Sequence, residues 1–262
     1  MCGRYASSRK PEDLVEEFEV DRVDVEAPLP ADYNVAPTKE VYAVFDRVPR
    51  SEPEAAPERR LATVTWGLVP SWAKDRAIGS RMINARVETL ASKPAFKRAF
   101  SVRRCLLPAD GYFEWYPTSQ LGRSGKPLKQ PFFIRPADGG ILAMAGLYEI
   151  WRNREVGDLD APGAFLWTAT VITTSAEDEL GRIHDRMPML IERGAYDEWL
   201  DARTTDPEQV QRLLVPAAPG RLEAYPVATD VNAVANNGPH LVDPLPLEGG
   251  GELGDLLDEL AE

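Results

Sequence analysis

The sequence predicts a fold in which many short strands are mixed with a few short helices around one core. Three observations carry this. Apolar runs of four to ten residues, several alternating with polar ones, recur along the chain from Val41 to Thr174. Helical periodicity is confined to short stretches opened by proline or acidic residues. The 262 residues show no internal repeat and no composition shift that would mark a domain boundary before residue 245.

In order, strand-like residues open the chain, and Pro11 to Val20 follows as an amphipathic helix. Pro11 sits in its first turn, with Leu14, Val15 and Phe18 on one face. Tyr33 to Thr38 reads as a turn, Val41–Val48 as an alternating strand and Arg50–Glu58 as an exposed loop. Leu61–Trp66 is a second strand, running into Trp66-Gly67-Leu68-Val69-Pro70-Ser71-Trp72. In Met82–Thr89, the alternation of Ile83, Ala85 and Val87 turns Asn84, Arg86 and Glu88 to the opposite face. Pro94–Phe100 reads as a basic helix. Arg104–Pro108 and Gly111–Tyr116 read as a strand pair, and residues 117–130 as a polar loop. Strands are expected at Phe132–Arg135, Ile141–Ile150 and Ala164–Thr174, with a loop over 152–163. Glu177 begins a helix that leads to Ile183-His184-Asp185-Arg186-Met187-Pro188. Tyr196–Ala202 and Pro207–Leu214 read as surface helices, and Val227–Asn237 as a strand entering a turn. Leu253, Leu256, Leu257 and Leu260 stripe an acidic helix in a tail over 246–262.

Net charge is −12, which taken alone disfavours a nucleic-acid partner. The distribution points the other way. Nine basic residues against two acidic ones lie between Lys74 and Arg104, while seven acidic and no basic residues follow from Asp243 onward. A Debye length of about 8 Å at physiological salt makes a local patch count for more than the total. Two cysteines and two histidines suit a reducing cytosol and disfavour a disulfide framework or a cysteine- or histidine-built metal site. No apolar run is long enough to span a bilayer.

The candidate chemistry starts at Met1-Cys2-Gly3-Arg4-Tyr5. A cysteine at position two is small enough for the initiator methionine to be removed, which leaves Cys2 with an α-amine beside its own thiol. Reference pKa values of roughly 7.7–8.0 for the amine and about 8.5 for the thiol give both a nucleophilic fraction near neutral pH. Such an aminothiol condenses with an aldehyde to an imine, and the thiol then closes a thiazolidine. Gly3 permits close approach, and Arg4 supplies an anion-binding group. Glu114, flanked by aromatics, is a candidate acid or base whose pKa desolvation would raise. His184 is the imidazole best placed for proton transfer. Trp72, beside Lys74 and Arg76, could stack on a base, and Asn84 with Arg86 could hold a sugar hydroxyl or phosphate. Cys105, in an apolar run, reads as a buried small hydrophobe.

Six of these segments occur in one order: Met1–Tyr5, Tyr33–Pro37, Trp66–Trp72, Ile83–Thr89, Gly111–Trp115 and Ile183–Pro188. Together they closely resemble the SOS response-associated peptidase (SRAP) family, over roughly residues 2–245. The resemblance implies a single α+β domain with an antiparallel, barrel-like β core and peripheral helices. It also implies a monomeric cytoplasmic protein, nucleoid-associated when bound to DNA, that needs no cofactor and senses abasic sites in single-stranded DNA. The implied product is a covalent thiazolidine DNA–protein crosslink, with lyase-like and autoproteolytic activities implied alongside it. Carried over by residue, Cys2 supplies both nucleophiles, Asn84 positions the amine or sugar, Glu114 moves protons, and His184 assists opening of the sugar. Arg4, Arg86 and Arg186 would hold phosphates, while Pro37 and Trp72 shape the DNA path. Some relatives carry a second tryptophan directly after the Trp72 position; here it is Ala73. Two other classes fit parts of the pattern. An N-terminal-cysteine amidohydrolase of the class II glutamine amidotransferase type would use Cys2, and a non-catalytic single-strand DNA-binding module would use Trp72 and the basic run.

Overall fold

The computed structural model describes residues 2–246, apart from 50, 51, 53, 177–179 and 219, together with residue 254. Its strands begin with β1 (Tyr5–Ser7), β2 (Arg22–Asp24), β3 (Asp32–Val35), β4 (Glu40–Arg47), β5 (Glu58–Trp66) and β6 (Asn84–Arg86). They continue with β7 (Arg104–Ala109), β8 (Gly111–Leu121), β9 (Pro127–Pro136), β10 (Leu142–Arg152), β11 (Phe165–Ser175), β12 (Arg186–Pro188) and β13 (Leu222–Pro226). The helices are α1 (Pro11–Phe18), α2 (Pro94–Val102), α3 (Leu180–Ile183), α4 (Tyr196–Leu200) and α5 (Pro207–Gln211).

Five strands close a barrel in the order β11–β10–β7–β4–β5. Closure comes from a parallel pairing of β5 with β11, Thr65 opposite Thr168 and Trp66 opposite Ala169. Alternate residues of all five strands fill the interior, among them Val41, Ala43 and Phe45, Val64 and Trp66, Cys105 and Leu107, Met144 and Tyr148, and Ala169 and Val171. The intervening residues Tyr42, Val44, Leu61, Leu106, Ala145 and Ile172 face outward onto α1, α2, α4 and α5. Burial on both faces explains the almost continuous apolar runs of β7 and β10, and it corrects the alternation expected of Val41–Val48: Val41–Phe45 of β4 are all buried. The helices span only one or two turns and owe their stability to this packing.

A second sheet, ordered β13–β9–β8–β1–β3, covers one mouth of the barrel. Tyr5, Val35, Tyr112 and Ile134 on one of its faces join the barrel interior. Ala6, Phe113 and Phe133 on its other face pack on Val227, Val231 and Leu241. Cys2 lies in the layer between barrel and sheet.

Several expectations are corrected. β7 and β8 do not pair with each other. The chain crosses at Asp110 from the barrel, where β7 pairs with β10 and β4, to the second sheet, where β8 pairs with β9 and β1. Residues 117–130 are a two-stranded arm continuing β8 and β9, not a loop; standing clear of the core, they need no apolar alternation. Tyr33–Val35 belongs to β3, and the strand expected from Val227 lies earlier, at β13. Strand pairing over Met82–Thr89 is confined to β6, with a 3-10 turn after it. The expected tail helix, like Glu177, falls outside the described residues.

The basic run also divides. Lys74, Arg76, Arg81, Arg86, Lys93, Lys97 and Arg98 are exposed, but Arg104 is buried. Its guanidinium donates to the carbonyls of Phe100 (3.0 Å), Ser101 (2.7 Å), Trp199 (2.6 Å) and Asp201, closing the carboxyl end of α2 and tying it to α4. Burial lowers its pKa to about 10, so it stays charged at neutral pH.

Candidate active site

The mouth of the barrel under β1 and β8 gathers the catalytic candidates. β6 lies alongside β11, Asn84 opposite Val171, which points the Asn84 side chain at the amino terminus. Its amide Nδ2 donates to the Cys2 carbonyl at 2.7 Å. Its Oδ1 is buried and accepts no hydrogen bond among the described residues. Cys2 itself is fully buried. Burial raises the thiol pKa far above its ordinary value, and the Glu114 charge adds to the rise.

Glu114 sits on β8, 3% exposed, on the face that meets Tyr112 and Phe132. Burial raises its pKa to about 7, against the pull of the positively charged chain terminus. His184 follows α3, and its Nε2 lies 3.9 Å from Glu114 Oε2. The backbone N–H of Arg186 donates to His184 Nδ1 at 3.0 Å, and burial lowers the imidazole pKa. The exposed Asp185 carboxylate is also 3.0 Å from Nδ1, a pairing that would need a proton on Nδ1 and so competes with the Arg186 bond. The neutral ring fits both the lowered pKa and the Arg186 bond. That bond occupies the Nδ1 lone pair, so the proton is on Nε2, the nitrogen nearer Glu114.

The DNA-contact candidates are dispersed around this centre. Arg4 donates to Asn34 Oδ1 (2.5 Å) and to the Val231 carbonyl (3.0 Å), and its guanidinium lies 5.8 Å from the centre of the Trp115 ring. Arg186 is held by Glu88 through two bonds, 2.6 and 3.1 Å, and by the Thr173 carbonyl. Both arginines therefore already have protein partners, while Arg86 is exposed. Pro37 is half-buried next to Thr38, whose φ of 73° is unusual for a β-branched residue and whose N–H donates to the Trp66 carbonyl.

Trp72 is 59% exposed on a segment tied down from both sides. Gly67, at φ 132°, lies so close to Gly79 that a Cβ would sit 2.6 Å from the Gly79 carbonyl oxygen. Val69 N–H donates to Thr168, and the Trp151 indole donates to the Ala73 carbonyl. Ala73 is thus buried under Trp151, and Trp72 alone of the two faces solvent. A cavity of about 500 Å³ bordered by Arg47, Arg60 and Trp167 lies elsewhere. Arg60 and Trp66 are six residues apart on β5, about 20 Å. None of the predicted site residues lines this cavity.

Sequence reasoning missed Asn34. It is fully buried, and its Nδ2 lies within bonding distance of the carbonyls of Val231 (3.2 Å), Ala233 (3.0 Å) and Asn236 (3.0 Å). Its placement in an expected turn hid a residue that fastens the 231–236 segment beside Arg4.

The sequence matches, over residues 1–234, the profile of the family described as SOS response associated peptidase (SRAP). The chain belongs to the SRAP family. It is similar to the abasic site processing protein YoqW of Bacillus subtilis, 37% identical over 243 residues covering 93% of this chain and 99% of that one. It is also similar to YedK of Escherichia coli, 32% identical, with 94% and 100% covered. HMCES of Gallus gallus is 30% identical, with 82% of this chain and 66% of that one covered. Both of those relatives are likewise named abasic site processing proteins. The fold matches the crystal structure of a Bacteroides thetaiotaomicron protein at a TM-score of 0.77 and 23% identity, covering 94% of this chain and 100% of that one. This SRAP protein has the single α+β domain with a barrel-like β core that the resemblance implied, its five strands antiparallel except at the closing β5–β11 pair. No helix among its described residues is long and apolar enough to cross a membrane.

Proposed function

We propose that this SRAP protein captures abasic sites in single-stranded DNA by forming a thiazolidine through Cys2 once Met1 is removed. The observation that carries the reading is the Asn84 amide on the Cys2 carbonyl, next to a carboxyl whose pKa is near neutral. The names of the relatives supply the substrate class.

The order of bond formation follows from the electrostatics. The buried thiol holds its proton tightly, so the α-amine is the first nucleophile. It adds to the aldehyde carbon of the ring-opened sugar, and Glu114, near half-ionised at neutral pH, takes the proton that the nitrogen releases. The same carboxyl, now protonated, gives it to the former carbonyl oxygen, a second nitrogen proton follows the same route to the hydroxyl so formed, and water leaves as the imine forms. The sulfur then closes on the imine carbon, its proton passing to the nitrogen, so nothing beyond one water is lost. On ring opening the C1 hydroxyl proton passes to the ring oxygen, and the His184 Nε2–H, which keeps its proton, polarises that oxygen by a hydrogen bond. Asn84 fixes the carbonyl end of Cys2, and its open Oδ1 can accept from the new amine. Arg86 and Trp72, both exposed, are left for phosphate and base contacts, with Pro37 lining the path. Arg4 and Arg186 reach a phosphate only by sharing or leaving their present partners. We assign the protein to the cytoplasm as a monomer.

Mass spectrometry of the purified protein, before and after incubation with an abasic oligonucleotide, tests the reading. The expected species lack methionine and gain the mass of the DNA strand less water, and Cys2→Ala forms none. Glutamine hydrolysis by the wild type without any adduct would instead favour the amidohydrolase.

A further inference from the structure

We propose that the arm built from the outer halves of β8 and β9, residues 117–130, is a second DNA contact, holding phosphates of the strand as it leaves the abasic nucleotide. This rests on the reading above. In a chain of net charge −12, the stretch from Trp115 to Ala137 has no acidic residue and four basic ones, Arg123, Lys126, Lys129 and Arg135. Arg135 is taken by Glu223 at 2.6 Å. The other three are exposed, and none forms an ion pair among the described residues.

The arm is a shaped element. Thr118 Oγ1 donates to the Leu128 carbonyl (3.1 Å), Gly122 N–H donates to the Lys126 carbonyl (2.8 Å), and Gly125 turns the tip at φ 72°. It grows directly out of the strand that carries Glu114. Lys129 is paired with Pro117, three residues or about 10 Å beyond that carboxyl. The Lys129 charge is among those felt by both Glu114 and His184, which places the base of the arm within electrostatic reach of the site. From Glu114 to Leu121 the strand runs about 23 Å. Leu121 and Leu128 stay 66% and 48% exposed, so no apolar packing accounts for the projection. Two strands alone are marginal in water; cations at their tip (Arg123, Lys126) and on β9 (Lys129) would gain from a polyanion.

The test uses the full chain with Arg123→Gln, Lys126→Gln and Lys129→Gln combined. Its affinity for an intact single-stranded oligonucleotide is read by fluorescence anisotropy across a salt series. A second triple variant, Arg193→Gln, Arg203→Gln and Arg212→Gln, makes the same charge change around α4 and α5. Each lost phosphate contact should lower the slope of log affinity against log salt by about 0.7 on single strands. The arm variant should therefore lose about 2 from the slope and the second variant nothing. A wild-type slope in an arm variant of native melting temperature overturns the proposal, as does an equal loss in both variants. Should the triple arm variant fold poorly, Lys126→Gln alone should lose about 0.7, and an unchanged slope there has the same force. The readout needs no abasic site, so failure of the arm leaves the wild-type adduct intact. Absence of that adduct would sink the site reading without touching the slope.

Discussion

Replacing Glu114 with glutamine keeps the shape of the side chain and removes its titration, so it isolates what the buried carboxyl costs and does. In the folded protein the group titrates near 7, and a solvated glutamate near 4.5. Between those values the folded state holds a proton that the unfolded state has lost, so stability falls as pH rises from about 4.5 through about 7 and is level above. At about 1.36 kcal/mol for each tenfold change in proton affinity, the full loss is about 3 kcal/mol. Urea denaturation of wild type and Glu114→Gln at pH 4 and pH 8 reads it as a difference of differences. The glutamine variant should gain about 3 kcal/mol on the wild type between the two conditions. Equal gaps at both pH values would refute the claim that the carboxyl is desolvated. The same carboxyl should give the crosslinking rate an inflection near pH 7. The glutamine variant should lose that inflection and run about 100-fold slower or worse.

Trp72→Ala should leave the melting temperature unchanged, because the indole packs little, and weaken single-stranded DNA binding by about 1–3 kcal/mol in a titration. Asn84→Ala removes the hydrogen bond to the Cys2 carbonyl; single-turnover crosslinking should slow roughly tenfold, by about 1–2 kcal/mol, with an adduct of unchanged mass. Asn34→Ala strands the Asn236 carbonyl, leaves those of Val231 and Ala233 with one donor each and frees Arg4, and should cost about 2 kcal/mol in denaturant unfolding. Cys105→Ser should crosslink at the wild-type rate, because its sulfur faces the filled barrel interior.

The parts of the fold that were legible in the sequence are those whose side chains report their surroundings. β7 and β10 announce burial on both faces, while β4, expected to alternate, is buried on both; α1 and α2 begin with proline and carry a clear apolar face. The 117–130 arm was hidden because a solvated strand has no reason to alternate. The crossing between β7 and β8 was hidden because pairing partners are a property of the whole sheet. At the site, residue types made catalytic candidates of Cys2, Glu114 and His184 and the resemblance added Asn84 to them; the contacts Asn84–Cys2 and Glu114–His184 bring these candidates together in pairs. The partners of Arg4 and Arg186 were not legible, since Val231 and Glu88 lie 227 and 98 positions away. Arg104 was misplaced for a related reason. A local count of charge cannot tell an exposed cation from one that closes a helix.

The fastening of Arg4 and Asn34 to Val231 sets a schedule. A ribosome adding at most about 20 residues each second needs roughly 12 s to travel from the start of the chain to that carbonyl. Throughout that interval Arg4 and Asn34 lack the carbonyl that fastens them, and the face of the second sheet turned away from the barrel lacks its cover of Val227, Val231 and Leu241. That face is therefore closed only when synthesis is nearly complete.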